Sequence, residues 1–101
     1  MEEKRIKHLV IFCLKSGKDS LETSKFLADG KSILSSIHVA EKFKVMDQVS
    51  LKNDYDFGFS MEFKNKEAYE IYNSYPSHVD FVNTRWENEV TKFLEIDFED
   101  I

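Results

Sequence analysis

The stretch Tyr55-Asp-Phe-Gly-Phe-Ser-Met-Glu-Phe63 alternates without error. Tyr55, Phe57, Phe59, Met61 and Phe63 fall on one side, and Asp56, Gly58, Ser60 and Glu62 on the other. A period of two places successive side chains on opposite faces, so this is a half-buried strand of an antiparallel sheet. Lys52-Asn53-Asp54 ahead of it reads as a turn. Asn65 behind it reads as the cap of a helix that opens with Lys66, Glu67 and Ala68. Ala68, Ile71, Tyr72 and Tyr75 recur at three- and four-residue spacing and give that helix one apolar face. Pro76 ends it, because the proline ring pushes Tyr75 towards extended geometry. Ser77 restarts a helix through about Glu89, with Val79, Val82, Trp86 and Val90 as its inner face.

The flanks complete the pattern. Residues 5–15 form a first strand with Ile6, His8, Val10, Phe12 and Leu14 on one face. Leu9, Ile11 and Cys13 make the opposite face apolar too, so the strand is expected to be covered on both sides. Ser16 to Asp19 make a turn, and Asp19 or Ser20 caps a helix from Leu21 to about Ser35. Leu21, Phe26, Leu27 and Leu34 supply its stripe, which Gly30 weakens. Residues 37–50 read as a long second strand that starts at His38. Residues 92–98 form the last, setting Leu94, Ile96 and Phe98 against Glu95, Asp97 and Glu99. The order β-α-β-β-α-β predicts an α+β, ferredoxin-like antiparallel sheet with its helices on one face. A homodimer packed sheet against sheet would cover the other face.

Composition narrows the function classes. No linker or repeat divides the 101 residues, so one domain over 1–101 is expected. No apolar run approaches the roughly 20 residues of a membrane helix. The acidic opening lacks a signal-peptide core. The expectation is a cytoplasmic protein with no membrane partner. The net charge is −5, and the excess sits after Arg85, where six acids face only Lys92. Such a segment repels phosphate, which argues against nucleic acid. With a single cysteine, Cys13, neither a disulfide framework nor a thiolate zinc site is available. His8, His38 and His78 lie on separate elements without a paired spacing, so no metal is expected. The glycines are isolated and form no phosphate loop, so no cofactor is expected either.

His78 and Tyr72 are the candidate catalytic pair. An imidazole can take a proton from a carbon next to a carbonyl, and a phenol can donate to the enolate oxygen that forms. On spacing alone the structural alternative weighs more, with His78 as a helix cap or bonded to a backbone carbonyl and Tyr72 as core. His8, Val10, Phe12, Tyr75 and Trp86 are the candidate lining of a ligand pocket between sheet and helices, and the alternative for each is ordinary packing.

Several of these segments together resemble a known family. Lys7-His8-Leu-Val-Ile-Phe-Cys-Leu-Lys15, Tyr55 to Phe63 and Leu94-Glu-Ile-Asp-Phe98 are similar to strands of the stress-responsive α/β-barrel domain (Dabb) family. The helix break Ala68-Tyr-Glu-Ile-Tyr-Asn-Ser-Tyr-Pro76-Ser-His78-Val-Asp-Phe81 is the closest match, although Tyr75 stands where a histidine commonly precedes the proline. The resemblance implies a homodimeric α+β barrel. It also implies a pocket for a small hydrophobic carbonyl compound. In one plant branch a Tyr/His pair closes polyketide rings without metal or cofactor. By position that pair corresponds to Tyr72 and His78, with His8 as the first-strand histidine. The alternative is a non-catalytic, stress-linked dimer.

Overall fold

The computed structural model describes residues 4–101. Four strands, β1 (Ile6–Leu14), β2 (Glu41–Asp47), β3 (Phe57–Phe63) and β4 (Val90–Phe98), form one antiparallel sheet in the order β2-β3-β1-β4. Helices α1 (Leu21–Ser35), α2 (Lys66–Ser74) and α3 (Pro76–Phe81) complete a ferredoxin-like α+β fold. A π-helical turn (Val82–Trp86) and a short helical turn (Glu87–Glu89) carry α3 into β4. Among the described residues no helix is long and apolar enough to cross a membrane.

Local chemistry explains the boundaries. The Ser20 side chain accepts from the Thr23 amide and starts α1. Asn65 does the same for α2 through the Ala68 amide, at 2.8 Å. Tyr75 is extended (φ −64°, ψ 131°), so Pro76 both ends α2 and opens α3 at a position where its missing N–H costs nothing.

The core lies between sheet and helices. Ile6, His8, Val10, Phe12 and Leu14 of β1 are all buried, as are Phe57, Phe59, Met61 and Phe63 of β3. They meet Phe26 and Leu34 of α1, Tyr72 of α2 and Phe81 of α3. Gly30 is buried on α1 because nothing larger fits: an added Cβ would lie 2.8 Å from the Phe59 ring and 3.3 Å from that of Phe81.

Three elements depart from the sequence expectation. The second strand spans only Glu41–Asp47 rather than 37–50. Turn hydrogen bonds from Ile37 to Leu34 and from Ala40 to Ile37 carry the chain out of α1, and His38 sits exposed in that turn. Lys42, at φ 54°, then marks an irregularity in the ladder. On α1, Leu21 is 86% exposed, and Thr23 takes the buried place on that turn, hydrogen-bonded to Ser16 and Gly17. The last helix is not one regular helix. The Glu87 amide donates to the Val82 carbonyl, five residues back, so one extra residue enters the turn. That puts Phe81 and Trp86 on the inside, while Val79 is 41% exposed.

The face away from the helices is apolar at its centre. Leu9 and Ile11 on β1 pair with Ile96 and Leu94 on β4, and Gly58 of β3 lies opposite Ile11. Phe98 ends the row, 54% exposed. Cys13 lies on this face, and its thiol donates to the Asp54 carbonyl at 3.3 Å. Burial, together with the nearby Asp56 charge, pushes that thiol above its ordinary range, which makes it a poor nucleophile at neutral pH.

Candidate active site

A cavity of about 470 Å³ opens between the sheet, α2, α3 and the π-helical turn. Its floor is His8 and Val10 of β1 with Phe59 and Met61 of β3, and Leu34 of α1 closes the far side. Tyr72 and Asn73 come from the end of α2, His78 and Phe81 from α3, Val82 and Trp86 from the π-helical turn. Glu87, Val90, Phe93 and Glu95 complete the wall where the chain enters β4.

The helix break positions the His78 and Tyr72 rings. Tyr72 lies in the last full turn of α2 and His78 in the first turn of α3, and the Pro76 junction folds one ring onto the other, 4.2 Å between centroids at 36°. The His78 Nδ1 lies 3.2 Å from the Asn73 carbonyl oxygen. A carbonyl only accepts, so Nδ1 carries the hydrogen and Nε2 keeps its lone pair. Burial holds the His78 imidazole below its ordinary pKa, and the Asn73 carbonyl opposes this more weakly. Burial also lifts the Tyr72 phenol well above its ordinary value, so it stays a proton donor at neutral pH. Tyr72 is 3% exposed, and its hydroxyl has no hydrogen-bond partner among the described residues. No fully buried polar side-chain atom lacks a partner, so that hydroxyl is open to the cavity.

A second imidazole stands across the floor. His8 is buried, with its Nδ1 2.5 Å from Asp97 Oδ1. The Tyr69 hydroxyl donates to the other Asp97 oxygen at 2.9 Å and lies 3.2 Å from the same His8 nitrogen. Two partners thus fix the ring. Its centroid is 6.5 Å from that of Tyr72. On the far side, Arg85 bridges Asp29 of α1 at 2.7 Å and Glu89 at 2.6 Å, which anchors the π-helical turn and hence Trp86. The Arg85 guanidinium holds the Asp29 carboxyl below the usual carboxylate range.

Of the residues singled out in the sequence, the fold brings His78, Tyr72, His8, Val10 and Trp86 to this one cavity. Phe12 does not reach it. Its ring is fully buried behind Phe59 and Trp86, at 4.8 and 4.9 Å, and those two form the cavity wall instead. Tyr75 is not part of the wall either, because the extended cap turns its ring edge-on to His38, 5.9 Å away. Sequence reasoning passed over Tyr69, Asp97, Glu95 and Glu87. Tyr69 had a usable signal, lying one helical turn before Tyr72. Asp97 had none, because only the β1–β4 register sets it opposite His8.

The stress responsive A/B barrel domain (Dabb) family matches residues 6–100. The chain belongs to that family. A Dabb protein of Mesorhizobium loti with a ferredoxin-like fold is 49% identical, with 98% of this chain and 99% of that one covered at a TM-score of 0.96. An Arabidopsis thaliana protein is 25% identical, with 95% of each chain covered at a TM-score of 0.81. At lower identity the likeness speaks to the fold alone. A Bacteroides fragilis protein described as dimeric is 20% identical (95% and 96% covered, TM-score 0.72). A hydroxynitrile lyase of Passiflora edulis is 11% identical (97% and 94% covered, TM-score 0.83). No curated protein matches this Dabb sequence.

The site carries a pH signature. A histidine whose folded pKa lies below its unfolded value of about 6.5 favours the native state above that value. That stability is lost as pH falls through the folded value. In urea titrations, the wild-type midpoint should therefore drop between pH 7.5 and pH 5, and His78→Gln should show a shallower drop. Equal drops would mean that His78 is not held neutral by burial.

Proposed function

We propose that this Dabb protein is a homodimer that binds a small hydrophobic carbonyl compound in the cavity and acts on it as a cofactor-free lyase or cyclase. The observation that carries this is the Tyr72 hydroxyl, open to the cavity with no partner among the described residues, on a ring packed 4.2 Å from that of a histidine with a free Nε2. In this scheme His78 Nε2 takes the proton from the carbon beside the carbonyl. Tyr72 donates to the oxygen as negative charge develops on it. In a cyclase the enolate carbon attacks a second carbonyl of the same molecule, and His78 returns the proton to the alkoxide that forms. In a lyase the steps run in reverse: His78 takes the proton of the β-hydroxyl, the carbon–carbon bond breaks to a carbonyl and an enolate held by Tyr72, and His78 returns the proton to the enolate carbon. His8, steadied by Asp97 and Tyr69, is a second acid–base group on the opposite wall.

The test is a thermal-shift screen of aromatic and alkyl ketones and aldehydes, followed by turnover assays on the hits. Saturation at a hundred times Kd stabilises a protein by about 2.7 kcal/mol, which is easily resolved. Tyr72→Phe keeps the ring and removes the hydroxyl. It should lower turnover by about a hundredfold or more, as expected for loss of an oxyanion donor, with little change in Tm. The hydrogen bond from His78 to the Asn73 carbonyl favours a second reading, in which the histidine fastens α3 to α2 and the dimer binds without catalysis. Ligand-induced stabilisation without turnover would select that reading. Absence of any stabilising ligand would overturn both.

A further inference from the structure

We propose that the cavity selects by charge: it takes an apolar or aromatic body ending in a protonated amine and rejects the matching carboxylate. This rests on the reading of the cavity as a ligand site and names the chemistry of its ligand.

The wall is one-sided in charge. Glu87 and Glu95 line it, and among the described residues no lysine or arginine does. Both carboxylates are solvent-exposed, which places them at the mouth rather than the floor. Neither is engaged in an ion pair among the described residues, in contrast to Glu89, which Arg85 neutralises, and Asp97, which holds His8. The two glutamates therefore project an uncompensated negative field into a site with low-dielectric walls.

Two independent features point the same way. Trp86 and Phe93 meet edge to face at 5.6 Å on the same wall, and the electron-rich face of an indole attracts an ammonium. Tyr72 is a buried side chain whose oxygen opens to the cavity without a partner among the described residues, an acceptor that an ammonium N–H can use. An ammonium entering here has carboxylates, an aromatic face and a phenol oxygen to satisfy its donors. A carboxylate in the same place meets two like charges, with no arginine or lysine to receive it.

Three probes of nearly one shape isolate the effect: phenylpropylamine, phenylpropanol and phenylpropanoate. Titrated by ligand-detected NMR at pH 7.5 and low salt, they should bind in that order. Exposed charges interact weakly, so the expected spread between amine and carboxylate is about tenfold. Half-molar salt should narrow it, because the carboxylates lie at the solvent-exposed mouth. Glu95→Gln should shrink it to about threefold, chiefly by weakening the amine. If all three bind within twofold of one another, or the carboxylate binds best, charge selection is overturned while the cavity reading stands. If none binds at millimolar concentration, both fall together.

Discussion

Phe12→Ala is expected to destabilise the fold by about 3–5 kcal/mol, the range for truncating a fully buried phenylalanine. The ring has no exposed surface and sits among Phe26, Phe57, Phe59 and Trp86, with centroids between 4.8 and 6.0 Å. Close packing on every side leaves little room for collapse, so most of the volume would persist as a void. Against a total of about 5–15 kcal/mol for a domain of this size, that is a large share. The Tm should fall by roughly 15 °C or more. Thermal and urea unfolding of the variant check this. A loss below about 1 kcal/mol would mean that Phe12 is not enclosed as described and belongs with the cavity lining after all.

Ile11→Asp should have the other large effect, on assembly. Ile11 lies mid-strand on the open sheet face, between Leu94 of β4 and Gly58 of β3. In a dimer packed through that face it is buried twice, once per subunit. An unpaired carboxylate in an apolar interface costs several kcal/mol, so each dimer suffers the penalty twice over. The dissociation constant should rise by about a thousandfold or more. Light scattering at micromolar concentration should change from the mass of two chains to that of one, with the far-ultraviolet circular dichroism retained. A variant that stays dimeric at that concentration would place the interface elsewhere.

What the sequence made legible follows from how far each signal reaches. The alternation of Tyr55 to Phe63 and the proline at 76 act locally, and both appear in the structure as a buried strand and a sharp helix junction. The two sets of β1 were legible for the same reason, because period two fixes their membership once one residue is placed, but both are apolar at the centre and only the packing of the helices turns the His8 set inward. Residue pairs set by register were beyond reach. Glu95 and Asp97 alternate with Leu94, Ile96 and Phe98 on β4, and nothing local says which set faces the helices. The pairing of Asp97 with His8 and of Glu95 with Val10 decides it, and turns the polar set towards the cavity. β4 is an edge strand, where burial constrains the pattern least. Tyr75 and Phe12 show the converse. Residue type and face suggested a pocket, but a backbone angle at one and a wall of neighbouring rings at the other placed them elsewhere.

The π-helical turn at Val82–Trp86 separates two things that are usually tied together, the shape of a cavity wall and the integrity of the scaffold behind it. A residue lost from or added to a helix rotates everything beyond it by about 100°. Here the surplus residue is held at the junction between α3 and β4, outside the sheet, and Val82 and Trp86 at its two ends both line the cavity. A lineage that gained or dropped one codon at this place could exchange the side chains facing the cavity while the strand ladders stayed as they were. Chain length between Pro76 and β4 is then a variable that reshapes the cavity without redrawing the sheet.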